Sequence, residues 1–367
     1  MRVRGILAIA LLAALGVPAS SAWSATPGVP STSPRPLCGQ ANPKTSGLPT
    51  VPDHLTVASF NMLHGLTEAG DKTLEARLSA TVDQIAVSGV DIVGLQEVEE
   101  STKHGLVIDR LAKGLAAKTN ATWYWCWFRT EPHAPGTPDT RHGGGNPVSD
   151  RFAAHYNPNE KKWYEGAAVL SWTPIMAAAV HRLPGEDIRG RLKTDCKPPF
   201  TADPTCVPDL VLEPRAAVWA RIATAFGPVS FTSAHTSGNR KQHVDLMQWA
   251  RAQSAGDKTA LVVCDCNSTT ESQAQHVIRN AGWYDTALRL QADAPTADQD
   301  ITSATSTVSD RIDYVFLRSD SRLQVTASKR FMSTPVHSAA TSTGWLWPSD
   351  HYGVIDTLQP PGLPHTG

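Results

Sequence analysis

The chain has 367 residues, with 33 Lys and Arg against 34 Asp and Glu. That near-neutral balance excludes the strong overall basic charge that advertises a nucleic-acid-coating protein, while leaving room for a local basic patch. From Leu55 to about Leu358 the pattern is globular throughout, roughly 300 residues without an internal linker or short repeat, which is ample for one large core.

Arg2 and Arg4, the apolar run over 6–17 and the small residues Ser20-Ser21-Ala22 have the layout of a secretory signal peptide, too short to remain as a membrane span. Removing residues 1–22 takes away two cations and no acid and leaves a balance of about −3. Residues 23–53, rich in Pro, Ser and Thr, read as a flexible leader, tied down if Cys38 is bridged.

The globular region, 54–358, opens with a strand over 55–61 that ends on Asn61. Leu74, Leu78, Val82, Ile85 and Ala86 fall at helical spacing and predict an amphipathic helix over 72–88, ended by Gly89. A strand over 91–98 delivers Gln96 and Glu97; a helix over 104–117 and an aromatic strand over 122–128 follow. The segment 129–162 is rich in Gly, Pro, His and Arg and includes Arg141-His142-Gly143-Gly144-Gly145-Asn146; loops this long are functional or disordered. Strands are expected over 166–171, 216–222 and 229–234, the last running into His235, then a helix over 242–252 carrying Val244, Leu246, Met247 and Ala250. Residues 261–267 read Leu-Val-Val-Cys-Asp-Cys-Asn, a buried strand whose alternation puts Asp265 and Asn267 on one face and Cys264 and Cys266 on the other. A helix over 271–281, a polar loop over 292–309 and strands over 312–317 and 352–358 complete the domain, the last strand preceded by Ser349-Asp350-His351. Strands outnumber helices and interleave with them, which predicts a layered α/β domain.

Six cysteines in an exported chain are disulfide candidates. Cys196 and Cys206 are the best local pair, inside the Pro-rich segment 195–208; Cys38, Cys126, Cys264 and Cys266 then make two more. Cys264 and Cys266, turned away from the polar face, are expected to brace their strand through disulfides to other segments. A zinc site is disfavoured, because Cys264-x-Cys266 has no second cysteine or histidine pair at zinc spacing.

Polar residues close the strands: Asn61, Glu97, His235, Asp265, Asn267, Asp313, Asp350 and His351. Taken singly each has a bland reading, since Asn and Asp are common in turns and a lone Glu or His is usually solvated or packed. Together they form a set of hard oxygen donors and imidazoles. Such donors suit Mg²⁺, Mn²⁺ or Ca²⁺, and histidines beside them suit proton transfer near neutral pH.

The ordered motifs Ser59-Phe60-Asn61, Gln96-Glu97-Val98, Tyr164-x-Gly166, Ser233-Ala234-His235, Cys264-Asp265-Cys266-Asn267, Arg311-Ile312-Asp313-Tyr314 and Ser349-Asp350-His351 resemble the endonuclease/exonuclease/phosphatase superfamily over almost the whole mature chain. The resemblance implies a four-layered α/β sandwich, two packed mixed β-sheets flanked by helices, with the site at converging strand ends. It implies a divalent metal (Mg²⁺, or Mn²⁺ or Ca²⁺) around Asn61, Glu97 and Asp350, and an attacking water and phosphate oriented by Asp265 and Asn267. It further implies that Asp313 orients His351, which acts as base or stabilises phosphoryl oxygens, that His235 meets the phosphate or the leaving oxygen, and that Tyr164 belongs to the substrate site. The chain departs from the pattern in three places. Cysteines flank Asp265 where Gly and an apolar residue are usual. Glu165 directly follows Tyr164, one position earlier than in deoxyribonuclease-I-like members, which leaves the partner of His235 open. Leu63 stands where abasic-site enzymes carry Asp.

The implied activity is an exported metal-dependent phosphodiesterase acting on DNA or RNA as a monomer. The alternatives are a phospholipid or sugar-phosphate enzyme, with the Trp-bearing segment 343–348 as a membrane-facing candidate, and a non-catalytic binding module on the same fold. The tail, 359–367, ends in Leu363-Pro364-His365-Thr366-Gly367, which resembles a cell-wall sorting signal without its usual apolar segment and basic tail.

Overall fold

The computed structural model describes residues 35–43, 53–64, 68–130, 163–189, 211–292, 294–297, 301, 303, 305 and 308–362, all within the unit Pro34–Gly367. The expected signal peptide, most of the leader and of the 129–162 loop, Cys196, Cys206 and the sorting-signal-like tail lie outside the described residues.

In chain order, β1 (Leu37–Ala41) and β2 (Leu55–Asn61) lead to α1 (Glu68–Ser88). Then come β3 (Ile92–Gln96), the short β4 (Glu100–Ser101) and β5 (Gly105–Leu106), α2 (Val107–Thr119), β6 (Trp123–Thr130), β7 (Trp163–Ser171) and β8 (Ile175–Arg189). The second half runs β9 (Val211–Ile222), β10 (Val229–His235), α3 (Arg240–Gln253), β11 (Thr259–Asp265), α4 (Gln273–Asn280), β12 (Trp283–Asp285), α5 (Thr286–Arg289) and β13 (Asp313–Arg318). It closes with β14 (Gln324–Phe331), β15 (Val336–His337), β16 (Trp345–Leu346) and β17 (Gly353–Gln359).

One sheet has the order β1-β6-β7-β3-β2-β17-β14, with β4 and β5 off its path, and the other β12-β13-β11-β10-β9-β8. Strand alternation sorts the side chains into layers. Val57, Ile92, Val169, Val218, Phe231 and Val263 meet between the sheets. Phe60, Leu95, Leu111 and Leu115 pack α1 and α2 on the outer face of the first sheet. Val262, Cys264, Leu246, Met247 and Ile278 pack α3 and α4 on the outer face of the second. The result is the four-layered α/β sandwich that the motif order implied. No helix among the described residues is long and apolar enough to cross a membrane.

Helix α2 follows directly from its apolar stripe of Val107, Ile108, Leu111, Ala112, Leu115 and Ala116, and ends on Asn120 at φ 54, a left-handed conformation that Asn tolerates. It starts three residues later than expected. Gly105, at φ 65, turns the chain, so that 100–106 form a hairpin whose first strand pairs with β7. Gly94 on β3 faces the second sheet closely, and a Cβ there would sit 2.1 Å from Val263 Cγ2 and 3.0 Å from Ser233 Cβ.

The flexible-leader reading of 23–53 is corrected at one point. Leu37–Ala41 pairs antiparallel with β6, with Cys38 opposite Cys126, and a disulfide joins them. Only Ala41 of this edge strand is fully buried, so hydrophobic patterning carried little trace of it. Strands β8, β12 and β14 were also missed; β14 buries only Val325 and Phe331.

Candidate active site

The strand register brings the polar residues together. His235 pairs across from Asp265 and Asp265 from Asp313, so three ionisable side chains stand side by side at one end of the second sheet. Facing them, β2 and β3 end at Asn61 and Gln96 in register, with Glu97 turned out of its strand at φ 54. Asn61 Nδ2 bridges the sheets, donating to Glu97 Oε1 (3.1 Å) and Asp265 Oδ2 (2.9 Å), while its Oδ1 accepts from Leu63 N at 2.9 Å. Below it, Gln96 Nε2 donates to Ser233 Oγ at 3.2 Å.

His351 comes in from the segment before β17. Its Nδ1 is 2.8 Å from Asp313 Oδ2, and its Nε2 is 3.9 Å from Asp265 Oδ2 and 4.0 Å from Asp350 Oδ1. Thr296 Oγ1 accepts from the backbone N–H of Ile312 and Asp313, both at 3.2 Å, and the Thr296 carbonyl accepts from Tyr352 N. One residue of the expected polar loop therefore holds the backbone of Asp313 and of the residue that follows His351. Burial alone would push the His351 imidazole down; the carboxylates of Asp313, Asp265 and Asp350 reverse this and hold it well above its usual value. Burial pushes Asp265 above the usual carboxylate range, helped by Asp313 and Glu97 and opposed by His351 and Asn61. Two neighbouring groups are thus driven toward a proton-accepting acid and a charged imidazole.

Asn267 sits at φ 47. Its Nδ2 donates to the Thr236 carbonyl at 2.8 Å and lies 3.1 Å from His235 Nε2. The open question of the His235 partner resolves to Arg215, whose Nη1 is 3.0 Å from Nδ1 and 3.1 Å from Nε2 of the ring and 3.9 Å from Glu165 Oε1. Arg215, His235, Glu165, Glu97 and Thr130 line a small cavity beside the carboxylates. His64 Nε2 completes this flank, 3.5 Å from Glu97 Oε2 and 3.8 Å from Glu165 Oε2.

Sequence reasoning missed His64, Glu165 and Arg215. It also missed Arg77 on α1, whose Nη1 donates to the Met62 and Leu63 carbonyls (2.7 Å each) and to that of Pro348 (3.4 Å). Arg77 thereby ties the segment after Asn61 to the segment before Asp350; burial pulls its guanidinium down to about 10, against the pull of Asp350, Glu99 and Glu97. Tyr164 is a correction. Alternation along β7 puts Glu165 with the inter-sheet residues Ala167 and Val169 and Tyr164 on the opposite face, buried under the Arg129 guanidinium.

The cysteine expectation is corrected as well. Cys264 and Cys266 do turn away from the carboxylates into the helix-side core, but they bond to each other, because one intervening residue on a strand exit brings the two sulfurs within reach.

The donors fit a divalent cation. Glu97, His235 and Asp265 offer atoms within 4.8 Å of one another, as do Asp265, Asp313 and His351, and His64, Glu97 and Glu165. Asp313 Oδ1 is buried without a hydrogen-bond partner. Carboxylate oxygens beside imidazoles make a donor set suited to a divalent cation.

No curated protein sequence matches the chain. Among solved structures, an endonuclease/exonuclease/phosphatase family protein from Leptotrichia buccalis is 16% identical with a TM-score of 0.53, covering 82% of this chain and 98% of its own. A mannosyl-6-phosphatase from Bacteroides thetaiotaomicron is 17% identical (TM-score 0.54, 83% and 99% covered). A further family protein from the same organism is 18% identical (TM-score 0.55, 86% and 98%). These likenesses speak for the fold. The family profile itself matches residues 58–351, a span that opens in β2 and closes on His351, so the chain belongs to the endonuclease/exonuclease/phosphatase family.

Proposed function

We propose that this protein is an exported, Mg²⁺-dependent phosphodiesterase that cleaves nucleic acid. Hydrolysis of phosphoesters and the use of divalent metals come with the family; the nucleic-acid substrate, the ion and export are the proposal. The observation that supports the chemistry is the register of His235, Asp265 and Asp313 beneath His351, with Glu97 and Asn61 facing them from the other sheet.

Glu97 and Asp350 would hold the cation, with the Asn61 oxygen brought in by rotation of its amide, and the ion would neutralise charge on the phosphoryl oxygens. Asp265, with its raised proton affinity, takes the proton of the attacking water. His351, held charged and in one orientation by Asp313, stabilises the oxygen on which negative charge develops. Asn267, His235 and Arg215 supply donors on the opposite side.

Arg215, buried beside His235 and Glu165, puts a cation on one flank of the site, where a flanking phosphate of a polymer can bind. The membrane alternative loses its main support. Trp347 is buried against Tyr352 with its Nε1 donating to the Ser303 carbonyl at 2.8 Å, and Trp345 stacks on His337. The large exposed apolar residues among those described are Leu37, Val87 and Met176, on three different elements.

The test incubates purified protein with plasmid DNA, RNA, sphingomyelin vesicles, mannose 6-phosphate and a chromogenic phosphodiester, with Mg²⁺ and with chelator. Metal-dependent cleavage of DNA or RNA is expected. Turnover of lipid or sugar phosphate without nuclease activity would replace the substrate, and no metal-dependent turnover at all would overturn the hydrolase. Export is tested by recovering a mature chain lacking residues 1–22 from the medium of a secreting host; retention of the full chain inside cells would refute it.

A further inference from the structure

The two disulfides occupy very different places. Cys38–Cys126 staples an edge strand to its neighbour, far along the sequence. Cys264–Cys266 closes a ring through a single residue, and that residue is Asp265.

Around Asp265 the chain is hard to hold. The carboxylate is almost fully buried and stands among the acids Glu97 and Asp313. Immediately after it the backbone leaves the strand, and Asn267 adopts φ 47, a left-handed conformation that Asn tolerates but that turns the chain sharply. Gly238 presses on that turn so closely that a Cβ there would lie 2.2 Å from the Asn267 carbonyl oxygen. The intervening residue is anchored on every side. Cys266 N donates to the Ile312 carbonyl, and the Cys266 carbonyl accepts from Thr236 Oγ1 (2.7 Å) and lies 3.2 Å from His243 Nε2. Both sulfurs are fully buried among Leu246, Met247, Ile278 and Tyr314. A ring this small directly limits the backbone torsions of Asp265 and Cys266, which aim the Asp265 carboxylate and the Asn267 amide.

We propose that the Cys264–Cys266 disulfide is a positioning device for Asp265 and Asn267, so that the site reaches full activity only after these two thiols have been oxidised. The step transfers two electrons and two protons from the thiols to a disulfide oxidant, which leaves as a dithiol, and forms one S–S bond. Synthesis in a reducing compartment would yield a chain whose fold precedes its activity, and export to an oxidising one would complete the site. The role rests on the hydrolase reading above.

The test compares wild type, Cys264→Ala/Cys266→Ala and Cys38→Ala/Cys126→Ala on the chromogenic diester with Mg²⁺, with thermal melting of each. Misplacing a catalytic group by about 1 Å costs on the order of 10²-fold. The Cys264/Cys266 variant should therefore melt cooperatively, keep its KM and lose about 10- to 100-fold in kcat. The Cys38/Cys126 variant should melt earlier with kcat unchanged. In parallel, wild type refolded in excess dithiol, with its thiols counted by mass spectrometry, should show the same kcat loss and recover on oxidation with glutathione disulfide.

Inactivity of the oxidised wild type on every phosphoester overturns the hydrolase and this role together. An active wild type whose Cys264/Cys266 variant, or whose folded reduced form, retains kcat overturns the positioning role alone. Failure of both the variant and the reduced chain to fold also overturns it, since the bond would then serve the fold rather than the site.

Discussion

His351 can stabilise a phosphoryl oxygen only while its ring is protonated and turned toward the carboxylates, and Asp313 serves both needs through one contact of 2.8 Å. Asp313→Asn keeps the shape and the Thr296 clamp on its backbone but removes the charge that does most to hold the imidazole up. Two outcomes are expected. The kcat falls by about 10²–10⁴-fold, the usual worth of a placed proton-handling group. The alkaline limb of the kcat/KM profile also moves to lower pH, because an imidazole with less carboxylate support loses its proton earlier. A profile unchanged in shape would show that His351 works uncharged. At this scale the sequence was readable wherever a polar residue ended an apolar run, as Asn61, Asp265, Asp313 and His351 do. It was unreadable where the same residue type had an ordinary local explanation. Arg215 looks like the solvated start of the strand that carries Ala216 to Ile222, and only the pairing of Ala216 with His235 reveals its neighbour. The motif places Tyr164 in the site, whereas the period-two alternation of β7 turns Glu165 toward it.

Elements were legible in proportion to how much apolar surface they bury. Strand β2, buried along its whole length, was found to the residue, whereas the edge strands β1 and β14, half solvated, were not. Strand β17 shows what a buried element can still hide. Its inner face carries Val354 and Leu358 into the inter-sheet core, and between them stands Asp356, fully buried. The Ser328 and Thr286 hydroxyls lie beside it, but among the described residues no donor meets either Asp356 oxygen in full hydrogen-bond geometry. Burial pushes this carboxyl up to about 7, only partly offset by the hydroxyls of Ser328 and Thr286. Its proton is therefore held more tightly in the folded chain than in the unfolded one, where the pKa is near 3.8. The folded state is favoured below that value and loses stability as pH rises from about 4 to about 7, by an amount on the order of a few kcal/mol at about 1.4 kcal/mol per unit. Asp356→Asn should remove this slope. Thermal melts from pH 4 to 8 should show the variant gaining on wild type across the window and exceeding it at pH 8. A constant difference between the two across that range would mean that Asp356 is already charged in the folded protein.

Across the whole molecule, the interleaving of strands and helices predicted a layered α/β domain and the family resemblance its four layers, but the site draws on both sheets, and no local pattern states which strand ends will face one another. Glu97 belongs to the first sheet, Asp265 and Asp313 to the second, and contacts such as Asn61 to Asp265 span 204 positions of sequence. An apolar interior holds the sheets together over most of their area; at this one end, like charges oppose that hold. A divalent cation held there by Glu97 and Asp350 would offset that repulsion and favour the folded chain over the unfolded one. Its effect grows as RT ln(1 + [L]/Kd), about 2.7 kcal/mol at a hundredfold excess over Kd, or a rise of several degrees in Tm for a domain of this size. Adding Mg²⁺ or Mn²⁺ should therefore raise Tm in a concentration-dependent way, and chelator should reverse it. The gain should shrink as pH falls toward 4, where protons compete for the carboxylates. Glu97→Gln separates ligation from mere screening: removing one charge from the cluster relieves repulsion and should raise the metal-free Tm, yet it should weaken the rise on adding metal. A variant whose metal response equals that of wild type would show that Glu97 does not hold the cation.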